Sequence, residues 1–200
     1  MTWSVLAIDQ SMTNTGWAHL RKGDRTPTWG VKSLPSWGDE EGKHLWDWFE
    51  WLGHKCAELQ VTHLVFETPF SPHDHDEDLT KKIAQYGLPG MACVVQYLLG
   101  KRGQEIDLTH IPARTWRKDV LGNAEPPKGL MKHQRRKWLK DKALKACFDR
   151  GWIIDSDDAA EAVCILLCKC AMIDLGFATQ QGPLFRRAEA AYDEERRELR

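Results

Sequence analysis

Three places in the chain put carboxylates where a fold has little structural use for them. Asp9 closes the apolar run that begins at Trp3, Glu67 closes Leu64-Val65-Phe66, and Asp157, Asp158 and Glu161 stand at the entry to the apolar residues 162–168. An ionised carboxylate at the tip of a buried element is costly unless it is paired, hydrogen-bonded or bound to a metal. For Asp9 alone, an Asx-type turn cap is the competing reading. For Asp155 or Asp157 it is a helix cap, which the helix dipole favours. Capping accounts less well for a Glu inside the apolar entry. Asp158 and Glu161 are three apart and so share one helix face. Two strand tips that neighbour each other in a sheet would meet that helix start, and four acids would converge. Such a group repels itself. Divalent cations resolve the repulsion, and an all-oxygen ligand set points to Mg2+ or Mn2+. Two such ions about 4 Å apart activate water and stabilise the leaving oxygen in phosphodiester hydrolysis.

The elements that must position these acids follow from periodicity. The almost unbroken apolar stretch up to Ile8 predicts a strand buried on both faces. Residues 17–20 and 27–33 predict two more short strands, and the polar turn between them an antiparallel meander. Residues 34–42 form a Pro/Gly/Asp loop. Leu45, Phe49, Leu52, Cys56 and Leu59 recur at helical spacing, with Trp46, Trp48 and Trp51 widening the face as packing. Residues 62–67 form a strand that Thr68-Pro69-Phe70 breaks. His73, Asp74, His75, Asp76, Glu77 and Asp78 then read as a solvated loop rather than a metal site. Residues 79–99 predict a helix in which Gly87 and Gly90 invite close backbone approach. Residues 106–111 form a strand stopped by Pro112, and 113–121 a short helix or turn. Residues 130–149 form a basic helix with Leu139, Ala143, Ala146 and Cys147 inward. Residues 155–158 open a last helix that is apolar on every side and hence buried. Residues 184–200 are a charged helix or tail.

The chain has 200 residues, 42% of them hydrophobic and 28% charged, as in a single globular domain. Its formal net charge is -1, but residues 112–150 hold twelve Lys/Arg against four Asp/Glu. That segment reads either as a solvated helix face or as one surface turned to a polyanion. On the second reading Arg114, Arg117, Lys128, Lys132, Arg135, Arg136 and Lys140 contact DNA phosphates. Phe70 leaves the strand tip beside the acidic loop; it either folds back under that loop or stacks on a base. The six Cys lie mostly in apolar stretches, and Met1-Thr2-Trp3 leads straight into a strand. The expectation is of buried, reduced thiols, no zinc site, no secretory leader and a cytoplasmic protein. No apolar run is long enough to cross a bilayer.

Several segments, in order, resemble the RuvC-type Holliday junction resolvases. They are Ile8-Asp9-Gln10-Ser11 with Thr15-Gly16, Val65-Phe66-Glu67-Thr68-Pro69-Phe70, residues 87–95, His110-Ile111-Pro112 leading to Lys118, and Asp158-Ala159-Ala160-Glu161-Ala162. The resemblance spans residues 5–171. It implies an RNase H-like α/β fold, a mixed five-stranded sheet whose first three strands are antiparallel, flanked by helices. It also implies a nuclease domain at 1–176 followed by a charged helix or tail at 177–200. The family's metal-binding acids fall on Asp9, Glu67, Asp158 and Glu161, and its junction-wedging aromatic on Phe70. The catalytic basic residue falls on Lys118, with Arg117 or a Lys nearer Lys128 as alternatives. The implied protein is an Mg2+-dependent endonuclease, with Mn2+ as substitute. It would act as a homodimer on four-way or other branched DNA, in a bacterial or phage-infected cell. Two features depart from the pattern: Gln10 replaces a usual Pro, and Glu161 replaces a usual Asp. Asp157 beside Asp158 leaves the ligand register open by one residue. The rival readings are an actin-like or sugar-kinase-like nucleotide-binding domain and a catalytically silent junction-binding module. The first lacks its phosphate-wrapping Gly after Asp9 and a second Asp-x-Gly turn.

Overall fold

In the computed structural model, which describes residues 2–11, 13–34, 41–68, 79–122 and 125–180, the apolar run ending at Asp9 is the middle of a sheet. Strand β1 (Ser4–Asp9) pairs antiparallel with β2 (Asn14–Arg21), and β2 with β3 (Thr28–Ser33). On its other side β1 pairs in parallel with β4 (His63–Glu67), which pairs in parallel with β5 (Asp107–Ile111). The order is β3-β2-β1-β4-β5, a mixed five-stranded sheet that opens with the expected meander. The helices are α1 (Glu41–Glu58), α2 (Leu79–Lys101), α3 (Ala113–Leu121), α4 (Lys132–Phe148), α5 (Asp157–Ile173) and α6 (Leu175–Gln180).

Strand parity sorts the core into two halves. Leu6, Ile8, Leu64 and Phe66 join Trp48, Leu52 and Cys56 of α1 and Leu88, Ala92, Val95 and Leu99 of α2. Val5, Ala7 and Val65 face the other way, onto α5 and its neighbours Trp116, Ala143 and Cys147. Every residue of α5 from Ala159 to Cys170 is buried, which explains why it has no polar face. Lys169 is the one basic residue in that stretch, and it donates to Asp107 at 2.9 Å and to Thr109 at 2.7 Å on β5. Helix α6 runs across the expected 176/177 boundary, and its Phe177 packs edge-on against Trp3 with ring centroids 6.0 Å apart.

Three details differ from expectation. Trp46 stands 56% exposed, because the inward spacing Trp48, Leu52, Cys56 places it on the opposite side of α1. Cys93 is exposed rather than buried, on the outer side of α2. Gly90 makes no close approach, since a Cβ there would meet nothing within 4 Å. Phe70, the loop at 71–78, residues 35–40 of the early loop and the segment 184–200 lie outside the described residues. None of the described helices is long and apolar enough to cross a membrane.

Candidate metal centre and its cationic wall

The parity that sends Val5 and Ala7 toward α5 sends Asp9 the same way, and Glu67 follows Val65 by the same rule. β1 and β4 run parallel with Ile8 opposite Phe66, so the two acids leave neighbouring strands at one edge of the sheet. Helix α5 brings the rest. Ser156 caps it by accepting from the Ala159 N–H at 3.4 Å, which starts the helix at Asp157. Gly16, paired with Asp9 across the β1–β2 ladder, lets that start settle on the sheet; any Cβ at Gly16 would overlap the Asp158 carbonyl.

Carboxylate oxygens of Asp9, Asp158 and Glu161 then lie within 4.8 Å of one another. Glu67 stands beside them. Its Oε2 accepts from Trp116 Nε1 at 2.8 Å and lies 3.7 Å from the Arg117 guanidinium. Arg117 is also 3.8 Å from Glu161, and its guanidinium sits 4.9 Å from the centre of the Trp116 ring. From α4, Lys140 places its ammonium 2.8 Å from Asp157 and 2.9 Å from Asp158. Asp9, Glu67, Asp158, Glu161, Arg117 and Lys140, with Gln10, Ser11, Arg136 and Leu139, line a cleft of about 190 Å³.

The electrostatics are those of acids crowded without enough positive charge. Burial, then Glu161, Glu67 and Asp158, push the Asp9 carboxyl well above the usual carboxylate range. Burial likewise raises Glu161 to about 7, against the opposing pull of Arg117. Burial works against the Lys140 charge, yet its hydrogen bonds to Asp157 and Asp158 outweigh that and hold its pKa above normal. Asp157 is also partly buried, but Lys140 holds its carboxyl below the usual range. Gln10 Oε1 is buried on the same wall and has no hydrogen-bond partner among the described residues. Hard oxygen donors at this spacing, unmet negative charge and an orphaned acceptor suit a divalent cation.

The structure thus brings Asp9, Glu67, Asp158 and Glu161 to one place, and it turns Asp157 outward to Lys140. Of the two basic neighbours on α3, Arg117 faces the cleft. Lys118, about 100° further round the helix, is exposed and does not line it. Arg136 and Lys140 reach the cleft, whereas Lys128, Lys132 and Arg135 are exposed outside it. Arg114 is exposed and paired with Glu125 at 3.3 Å. Sequence reasoning missed Trp116, whose only signal was a large ring on a short basic helix. It also missed the cleft-wall roles of Gln10 and Leu139.

No protein-family model matches the chain, and no curated protein does. Among solved structures, Thermus thermophilus RuvC is similar at TM-score 0.61 and 12% identity, over 87% of this chain and 97% of that one. T. thermophilus RuvC in complex with Holliday junction substrate is similar at TM-score 0.58 and 10% identity, over 90% and 96%. The yeast mitochondrial Holliday junction resolvase, Ydc2, gives TM-score 0.47 and 16% identity over 80% and 75%. At these identities the likeness is one of fold, and the fold is the RNase H-like α/β arrangement.

Proposed function

We propose that this chain is a structure-selective endodeoxyribonuclease that resolves four-way or other branched DNA by two-metal-ion phosphodiester hydrolysis. The observation that carries the reading is the convergence of three carboxylates within 4.8 Å, with Glu67 beside them. A wall of Arg117, Arg136 and Lys140 faces this cluster. Asp9, Glu67, Asp158 and Glu161 would hold the ions. Bound Mg2+, or Mn2+ in its place, would supply an activated water and neutralise charge on the leaving oxygen. Trp116 fixes the rotamer of Glu67 through its indole N–H, and Arg117 restrains Glu67 and Glu161 from the other side. Arg117, rather than Lys118, is the basic side chain placed to meet the scissile phosphate. Arg136 and the exposed cations of α4 lead the phosphate backbone toward the cleft. The fold shared with the Thermus protein solved on a Holliday junction supports branched DNA as substrate.

Action on a two-fold junction fits a homodimer. Tyr86, Val94, Tyr97 and Leu98 make an exposed apolar stripe along α2, opposite its buried Leu88, Ala92, Val95 and Leu99. A second copy of this chain is the partner we assign to that stripe.

The test is cleavage of a labelled four-way junction by the purified chain with and without Mg2+. Wild type should nick only with metal. Asp9→Asn should bind the junction with unchanged affinity and cut at least a hundredfold more slowly, removal of one essential group typically costing about 10²-fold or more. Cutting by Asp9→Asn at the wild-type rate would sink the proposal.

A further inference from the structure

The acid cluster already holds a cation of the chain's own. Lys140 reaches from α4 to the first turn of α5, where its ammonium lies 2.8 Å from Asp157 Oδ2 and 2.9 Å from Asp158 Oδ1. Only 17% of its side chain is exposed. The two acids it bridges are not equivalent. Asp158 belongs to the three-oxygen group with Asp9 and Glu161, whereas Asp157 stands outside it. One ammonium is therefore shared between a candidate metal ligand and a neighbour that is not one. Arg117 sits further from its acids, at 3.7 and 3.8 Å.

We propose that Lys140 is a tethered surrogate cation that competes with the divalent ion for Asp158, and that Asp157 is the acceptor that keeps its ammonium at the cleft when metal takes Asp158. The inference rests on the metal-centre reading above. Without metal, the clustered carboxylates need nearby positive charge, and among the described residues Lys140 is the closest cation to supply it. A divalent ion on Asp158 repels an ammonium held on the same carboxylate, strongly so in a shielded cleft. Asp157, already in contact, receives it without a large movement. Lys140 and Asp157 are positioning residues on this account. They set how much metal the site needs, and they leave the ammonium beside the path of the phosphate.

Calorimetric titration of the metal-free full chain with Mg2+ and with Mn2+ tests this, together with melting temperatures in both states. Lys140→Gln should bind metal more tightly, by roughly fivefold or more. Its loss of melting temperature should shrink at saturating metal, as linkage requires. Lys22→Gln removes an exposed cation paired with Asp174 at the end of β1 remote from Asp9, and should change metal affinity by less than about twofold. Asp157→Asn should bind metal more weakly, and that loss should vanish in the Lys140→Gln background, because Asp157 acts through Lys140. Should Lys140→Gln not fold, Asp157→Asn decides: metal binding equal to or tighter than wild type overturns the proposal. Unchanged or weaker metal binding by Lys140→Gln also overturns it, as does an equal stability loss with and without metal; Lys140 would then be only a clamp between α4 and α5. Wild type that takes up neither metal overturns both this inference and the metal-centre reading. Metal uptake that Asp9→Asn abolishes and Lys140→Gln leaves untouched overturns this inference alone.

Discussion

Asp9 is buried among carboxylates that oppose its charge, and its replacement should show it. Burial and three facing carboxylates oppose its charge in the absence of metal. The same Asp9→Asn change that is expected to slow cleavage should therefore raise the melting temperature of the metal-free protein. A few degrees are expected, since ~1 kcal/mol corresponds to about 2–4 °C for a chain of this size. In saturating Mg2+ the order should reverse, because only wild type keeps the full ligand set. His19 poses the opposite problem, far from the acids. It is buried on β2 and lies 2.9 Å from the Ser4 hydroxyl. Burial, then Arg21, lower its pKa from 6.5 to about 4. Between those values the unfolded chain takes up a proton that the native state refuses. Stability should be full above pH 6.5 and decline as pH falls toward 4. His19→Gln, compared with wild type by thermal melts across that range, should flatten the decline. Parallel curves for the two proteins would mean that His19 is protonated in the fold.

At the scale of elements, the site depends on how closely α5 lies on β2. Gly16→Ala would force a methyl into the Asp158 carbonyl and lift the helix start that carries Asp158 and Glu161. Overpacking of this kind costs about 1–3 kcal/mol. Denaturant midpoints should fall accordingly, and cleavage should drop by more than the folded fraction does. A Gly16→Ala protein with wild-type midpoint and rate would show that α5 is not fixed by this contact. The proposed function gives helix α4 the different task of binding. Arg135 and Arg136 are both exposed, and their joint replacement by Gln should weaken junction binding. It should also reduce the log–log salt slope by roughly 0.9 for every phosphate that the variant no longer neutralises. Binding indifferent to the double change at low and moderate salt would make this stretch of α4 merely solvated.

At the scale of the whole molecule, the proposed function makes the α2 stripe the place where a second copy docks. Tyr97 is 61% exposed and Leu98 39%, so neither contributes much to the fold of a single chain. Tyr97→Glu with Leu98→Glu should leave the melting temperature of the monomer near wild type while abolishing dimers in sedimentation velocity. The variant should then make single nicks in a junction rather than paired ones. If the wild-type chain sediments as a monomer on its own and on a junction, the stripe has another purpose.

The amino-acid sequence by itself determined the order and type of the described strands and of α1 to α5, though not α6, because buried strands and a wholly apolar helix leave periodicities that only packing explains. It also determined which acids were anomalous, since a carboxylate ending an apolar run has few bland explanations. Strand parity and the antiparallel meander were implicit in it, though not the pairing of β1 with β4. Only the tertiary structure decided that β1 and β4 are adjacent and parallel, so that Asp9 and Glu67 share an edge. It likewise separated Asp158 from Asp157 and Arg117 from Lys118. Neighbours in sequence carry the same charge and composition signal, and on a helix they differ by about 100° in direction. Which of each pair meets the acids depends on how α3 and α5 are rotated against the sheet. That rotation is fixed by contacts between residues remote in the chain, such as Gly16 with Asp158 and Trp116 with Glu67.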